Sequence, residues 1–165
     1  MMEEKSMAKP KPDGYHTATP HITVKDANKA IDYYKKAFGA QVIVNMPGPG
    51  GKGVMHAEIK IGDSIIMLGE EMPGMAQKSP QSLGGVTSSL YLYVDDADSV
   101  YNKAVSSGGA ARGPMQDMFW GDRVGRVADP FGQEWSIATH KEDLSADEMK
   151  KRGQAFMQKM SASGG

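Results

Sequence analysis

"TPHITVKDANKAIDYYKKAFGA" (residues 19–40) is answered further along by "SLYLYVDDADSVYNKAVSSGGA" (residues 89–110). Each stretch opens on alternation. Pro20, Ile22 and Val24 face one way and Thr19, His21 and Thr23 the other. Leu90, Leu92 and Val94 likewise alternate with Ser89, Tyr91 and Tyr93. Period two marks a half-buried strand. An aspartate follows, Asp26 in one copy and Asp96 in the other, placed to accept the first free amides of a helix. Ala27, Ala30, Ile31, Tyr34, Ala37 and Phe38 then recur at helical spacing, as do Ala97, Val100, Tyr101 and Ala104. Gly39 and Gly108-Gly109 stop the two helices.

Beyond the helices, each copy continues with three strand-like segments. The first has "QVIVNM", "GVMHAEIKI" and "SIIML"; the second has "AARGPM", "RVGRVAD" and "EWSIAT". A shift of 70 pairs Val24 with Val94, Asp26 with Asp96, Gly39 with Gly109 and Ala40 with Ala110. It also pairs Gly51 with Gly121, Val54 with Val124 and Gly62 with Gly132. A unit of this length is one supersecondary module in two copies. The expectation is an α+β fold: tandem βαβββ modules forming a curved mixed sheet around a cleft, with a C-terminal helix. The expected limits are a disordered tail over 1–14, modules over 15–70 and 89–140, a linker over 71–88 and a helix over 141–160. Ser145 and Glu148 make a capping box ahead of that helix, whose apolar residues include Met149, Phe156, Met157 and Met160. The closing "SASGG" reads as a second disordered end.

Composition narrows the function. The 165 residues carry 19 basic and 20 acidic side chains, so no charge excess points to nucleic acid or an anionic membrane. The absence of cysteine removes disulfides, thiolate catalysis and cysteine metal sites. No apolar run reaches the length of a membrane span, and a cytoplasmic location is expected. The 13 methionines read as core filling and surface scatter.

Strand parity sets a polar and aromatic face of Thr19, His21, Thr23, Ser89, Tyr91, Tyr93, Glu134 and Ser136 against an apolar one. His56, Glu58 and Lys60 share the corresponding side of their strand. These residues are expected to line a groove, the alternative being a solvent-facing side of the sheet. "DMFWGDR" (residues 117–123) adds Phe119, Trp120 and Arg123, suited to stack on a planar ligand and pair with its acid group. The loop packing alternative buries Trp120 and pairs Arg123 with Asp122 or Asp117. "PGPGGKG" (residues 47–53) precedes a strand and lacks a helix N-terminus, so it reads as a flexible hairpin loop and not a phosphate loop. His16 and His140 read as surface residues.

Taken together, "HITVKDANKAIDYYKKAFGA", "LYLYVDDADSVYNKAVSSGGA" and "VADPFGQEWSIATHKEDLS" resemble the vicinal oxygen chelate superfamily of glyoxalases, bleomycin-resistance proteins and dioxygenases. "DMFWGDRVGRVADPFG" is most similar to its PhnB-like branch. The resemblance implies a divalent metal held by His, Gln or Glu in the first and last strands of each module. Carried onto this chain, those positions fall on Thr19, Ser89, Ser136 and Ile66, or Met67 if the register differs by one. None is a good divalent-metal ligand. The expectation is therefore a small-molecule-binding protein without a cofactor, the resemblance implying a homodimer and, in its bleomycin-resistance members, sequestration in place of chemistry. Ligand-binding candidates are His21, His56, Glu58, Tyr91, Tyr93, Trp120, Arg123 and Glu134. Two alternatives stand: a lyase, isomerase or dioxygenase-type enzyme using a displaced metal site at His21, His56, Glu58 and Glu134, and a structural or interaction protein with a closed groove.

Overall fold

Two runs of strand, helix and three further strands make up the chain, as seen in a computed structural model that describes residues 8–163. The first comprises β1 (His21–Val24), α1 (Ala27–Phe38), β2 (Gln41–Pro47), β3 (Val54–Ile61) and β4 (Ser64–Glu70). After the short helix α2 (Pro80–Leu83) come β5 (Ser89–Tyr93), α3 (Ala97–Ser106), β6 (Ala110–Asp117), β7 (Asp122–Ala128) and β8 (Glu134–His140). Helix α4 (Ala146–Ser163) closes the described chain. The main break between the two compact units falls after Ser79.

Each unit holds one four-stranded mixed sheet, ordered β1-β4-β3-β2 and β5-β8-β7-β6. The first and last strands of each unit pair parallel; the other pairings are antiparallel. A parallel pair cannot be joined by a tight turn, so the intervening helix and hairpin are what bring the ends of each run together.

The local signals act as read. Asp26 accepts the Lys29 amide at 3.0 Å and Asp96 the Ser99 amide at 3.0 Å. Gly39 ends α1 at φ 67°, a conformation that costs a side chain energy and glycine almost none. Ala27, Ala30, Ile31, Tyr34 and Ala37 are buried along one stripe of α1. Ile22, Val24, Ala57, Ile59, Trp135 and Ile137 are buried from the strands, so the inward parity is as the alternation predicts.

The shift of 70 does not survive the full length of the module. His21 pairs with Met67, whereas its counterpart Tyr91 pairs with Ser136. The equivalent of Ser136 is thus Met67, and Ile66, 2% exposed, belongs to the core. Likewise Glu58 lies beside Met67 and Arg126 beside Ser136. Glu58 and Arg126 are therefore counterparts, and the match of Val54 with Val124 is not structural. The cause is hairpin length: residues 48–53 turn β2 into β3 but only 118–121 turn β6 into β7, which shortens the shift before Arg126, and the longer turn at 129–133, against 62 and 63, restores one residue before Ser136.

The loops and the C-terminal segment add detail to these expectations, and the last of them changes. Residues 48–53 form a closed turn, with the Gly48 amide donating to Gly53 and the Gly51 amide back to Gly48. The linker carries α2 and a buried Ser79 whose amide donates to Glu71. Helix α4 runs on through Ser163, taking in most of "SASGG"; residues 164 and 165 lie outside the described residues, as do 1–7 of the expected disordered tail. The Glu148 amide donates to Ser145 as a cap, but the Glu148 carboxylate turns to Arg152. Phe156 packs on Phe119, while Met157 and Met160 remain exposed. Among the described residues no helix is long and apolar enough to cross a membrane.

The longer second hairpin is held by one buried carboxylate. Asp129 accepts the amides of Phe131 and Gln133 on one oxygen and the indole N–H of Trp135 on the other, at 2.9 to 3.0 Å. Gly132 completes the turn at φ 89°. Removing one acceptor strands three buried donors. Asp129→Ala should therefore destabilise the protein by about 3 kcal/mol. Urea unfolding monitored by circular dichroism checks this, and an unchanged midpoint would contradict it.

Candidate functional site

β7 begins with Asp122, a carboxylate whose side chain is only 2% exposed. Its Oδ2 accepts the hydroxyls of Tyr91 and Tyr93, each at 2.9 Å, and the Trp120 indole N–H at 3.1 Å. Its Oδ1 meets His140 Nδ1 at 2.8 Å, and the other ring nitrogen of His140 meets Asp143 at 2.9 Å. Each donor is delivered by a different piece of chain. Tyr91 and Tyr93 come from β5, Trp120 from the turn before β7, and His140 from the end of β8.

Charge follows from this packing. Burial pushes the Asp122 carboxyl upward, but the four donors outweigh it and hold the carboxyl below its ordinary range. Burial, with the bond to Asp122, pushes the Tyr91 hydroxyl up to about 12, so it remains a donor. The bonds to Asp122 and Asp143 raise His140 above the ordinary histidine value.

One recess opens beside this cluster, and a second shares two lining residues with it. One, of about 330 Å³, has walls from Tyr91, Trp120, Pro114, Met118 and Val124. The other, of about 520 Å³, is polar, with Ser88, Ser89, Arg112 and Glu134 along it. Arg126 and Ser136 line both. Arg112 Nε stands 3.4 Å from Glu134.

The remaining sequence candidates are placed as follows. Tyr93 is held by Asp122 and does not line either recess. Arg123 forms a two-pronged pair with Asp98 at 2.6 and 2.7 Å and reaches Asp117 at 3.4 Å. Its partner is thus Asp98, not Asp122, because Asp122 faces the tyrosines. His21, His56 and Glu58 gather in the first unit, whereas Glu134 belongs to the second. The His21 and His56 rings stack at 6.3 Å, His56 Nε2 lies 3.0 Å from Glu58, and Tyr15 donates its hydroxyl to Glu58. Burial, then the neighbouring His56, lowers the His21 pKa. His21 also borders a recess of about 370 Å³ with Met55, Met72 and Met75.

The superfamily's metal does not fit the residues at its expected positions. Thr19, Ser89 and Ser136 offer neutral hydroxyls, and Met67 a thioether. Divalent metals of this class take imidazole and carboxylate. Among the described residues, no group of three or more His, Asp or Glu stands where it could hold a metal ion.

Asp122, Arg126 and Arg112 escape the sequence reading, and His140, exposed as expected, is also the partner of a buried acid. Strand alternation could have found Arg126 opposite Ser136, but the hairpin length concealed it. Nothing local joins Asp122 to Tyr91.

Asp122, with its lowered pKa, contributes stability above its unfolded value of 3.8, lost as pH falls through the folded value. His140, with its raised pKa, contributes fully below its unfolded value of 6.5 and loses that contribution as pH rises through the folded value. Melting temperature should therefore fall on both sides of a mildly acidic optimum. His140→Gln should flatten the decline above about pH 6.5 and weaken the acid limb, because Asp122 loses the bond that lowers its pKa most. An alkaline limb identical to wild type would contradict the assignment.

A family model described as the Glyoxalase/Bleomycin resistance protein/Dioxygenase superfamily matches residues 15–137. An uncharacterized protein of Mycobacterium bovis is 38% identical over 135 residues, which cover 80% of this chain and 88% of that protein. Among solved structures, the PhnB protein of Bacillus cereus superposes with a TM-score of 0.57 at 18% identity, over 75% of this chain and 99% of its own. A bleomycin-binding protein complexed with bleomycin gives 0.55 at 20% identity, over 76% of this chain and 99% of its own. At such identities the two structures speak for the fold, and the family match speaks for descent: the chain belongs to the glyoxalase/bleomycin resistance protein/dioxygenase superfamily.

Proposed function

We propose that the protein binds a small organic molecule with a flat apolar body in its second unit, and does so without the superfamily's divalent metal. The observation that carries this is the recess beside Asp122. Its walls are aromatic and aliphatic, and its volume of about 330 Å³ suits a compact ligand. Two of those walls are fixed in place, because Tyr91 and Trp120 both donate to one buried carboxylate. Side chains held before a ligand arrives lose little freedom on binding it. The complex of the bleomycin-binding protein with bleomycin supports binding as a use of this fold.

The donor chemistry at Thr19, Met67, Ser89 and Ser136 supports the metal-free part of the reading. The protein should therefore melt at the same temperature with and without EDTA. Indole and benzamide should shift the Trp120 indole N–H resonance saturably, and Trp120→Ala should weaken their binding, followed by titration calorimetry, roughly tenfold, the worth of one aromatic contact. Stoichiometric divalent metal in the purified protein, or a melting temperature lowered by chelator, would overturn the reading.

The protein is also proposed to be a homodimer. Val42, Ile43 and Met46 are all exposed on β2, an edge strand of its sheet. Such edges invite pairing unless covered. Light scattering should return twice the chain mass, and a clean monomer mass would refute it.

A further inference from the structure

We propose that Arg126 supplies the positive charge that a metal ion supplies elsewhere in the superfamily, and that the polar recess takes the oxyanion end of the ligand, a carboxylate, phosphonate or phosphate. This rests on reading the apolar recess as the seat of the ligand body.

Ser89 and Ser136, which stand at two of the superfamily's metal positions, line the same recess as Arg126 and Arg112. Ser136 lies directly across the ladder from Arg126, on the adjacent strand. Cross-strand partners project to the same face, so the hydroxyl and the guanidinium share one side of the sheet. A dication seated at the two serines would meet this arginine, with Glu134 the one carboxylate of the recess to offset it. The same place suits an anion. Arg112 has Glu134 as its partner, and Arg126 has no ion-pair partner among the described residues. The recess thus carries two cations against one anion and is left with one positive charge. The hydroxyls of Ser88, Ser89 and Thr87 add donors around it.

The backbone makes room for this arginine. Gly113 on β6 is its partner across the ladder, and a Cβ there would stand 3.2 Å from the guanidinium Nε. The guanidinium lies across a strand that bears no side chain at that point. From there it borders both the polar recess and the apolar one. A planar fork in this position can grip a carboxylate or a phosphonate through two parallel hydrogen bonds. The first unit has Glu58 in the equivalent place, engaged by His56 and Tyr15, so the arrangement belongs to the second unit alone. One ligand spanning both recesses would lay its apolar body against Trp120 and its acid group on Arg126.

Benzoate and phenylphosphonate, with benzamide as the uncharged isostere, test the proposal in the intact protein by titration of the Trp120 indole N–H resonance. Both anions should bind at least about tenfold more tightly than benzamide, consistent with one charge-assisted bond. Arg126→Gln should abolish that preference, so that the anions bind the variant no better than benzamide binds it, and Arg126→Lys should restore part of it. Arg126 is exposed, so these variants should fold as wild type does. A larger gain for phenylphosphonate than for benzoate assigns a phosphoryl-type acid, and equal gains or a larger gain for benzoate a carboxylate; either pattern supports the proposal. If benzamide binds and the anions bind no better, the oxyanion assignment fails and the apolar site stands. If none of the three perturbs Trp120, both fail. Anion binding that requires added zinc or manganese also overturns the proposal.

Discussion

A carboxylate taken out of water has to be surrounded by donors, because its desolvation costs several kcal/mol. Asp122 meets that demand with two tyrosines, one tryptophan and one histidine. The donors come from β5, the turn before β7 and the end of β8, so satisfying one acid aligns three parts of the second unit. Tyr91 and Trp120 are thereby set as walls of the apolar recess. The site's shape is a consequence of how a buried charge is accommodated.

The two modules share a scaffold and have parted in chemistry. Caps, helix stops and inward-facing strand residues correspond between them, since both copies solve the same problem of covering a sheet with a helix. The outward positions differ. His21 stands where the second unit has Tyr91, Met67 where it has Ser136, and Glu58 where it has Arg126. Burial constrains the first set tightly, because a buried side chain must match the volume it fills. The second set is free to vary, and it is the set proposed to meet a ligand.

Membership in a superfamily built around a metal does not require each member to keep one. The positions that elsewhere hold imidazole and carboxylate here hold hydroxyls and a thioether, and an arginine stands beside two of them. An ionised guanidinium needs no coordination sphere and presents its charge through a planar fork of donors. On the proposed reading, such a substitution changes the work of the site from polarising a bound oxygen to recognising one.

Much of this fold is legible in the chain itself. Asp26, Asp96 and Gly39 act on neighbours within a few residues, and alternation in residues 19–24 and 89–94 reports which side chains turn inward. Caps and periodicity are local, so the amino-acid order alone determines them. The site was only partly legible. Tyr91 and Glu134 could be placed on a candidate face by parity, and Trp120 in a loop of aromatic and charged residues, but Asp122, Arg126 and the partner of His140 could not be placed. Their roles depend on which strands lie side by side and in what register, and that register changes with a few residues of hairpin length. A hydrogen bond between Tyr91 and Asp122, or a recess shared by Arg126 and Ser136, exists only once β5, β7 and β8 have closed into a sheet. Tertiary structure decided those contacts, because they join groups distant in the chain whose approach no nearest-neighbour preference encodes.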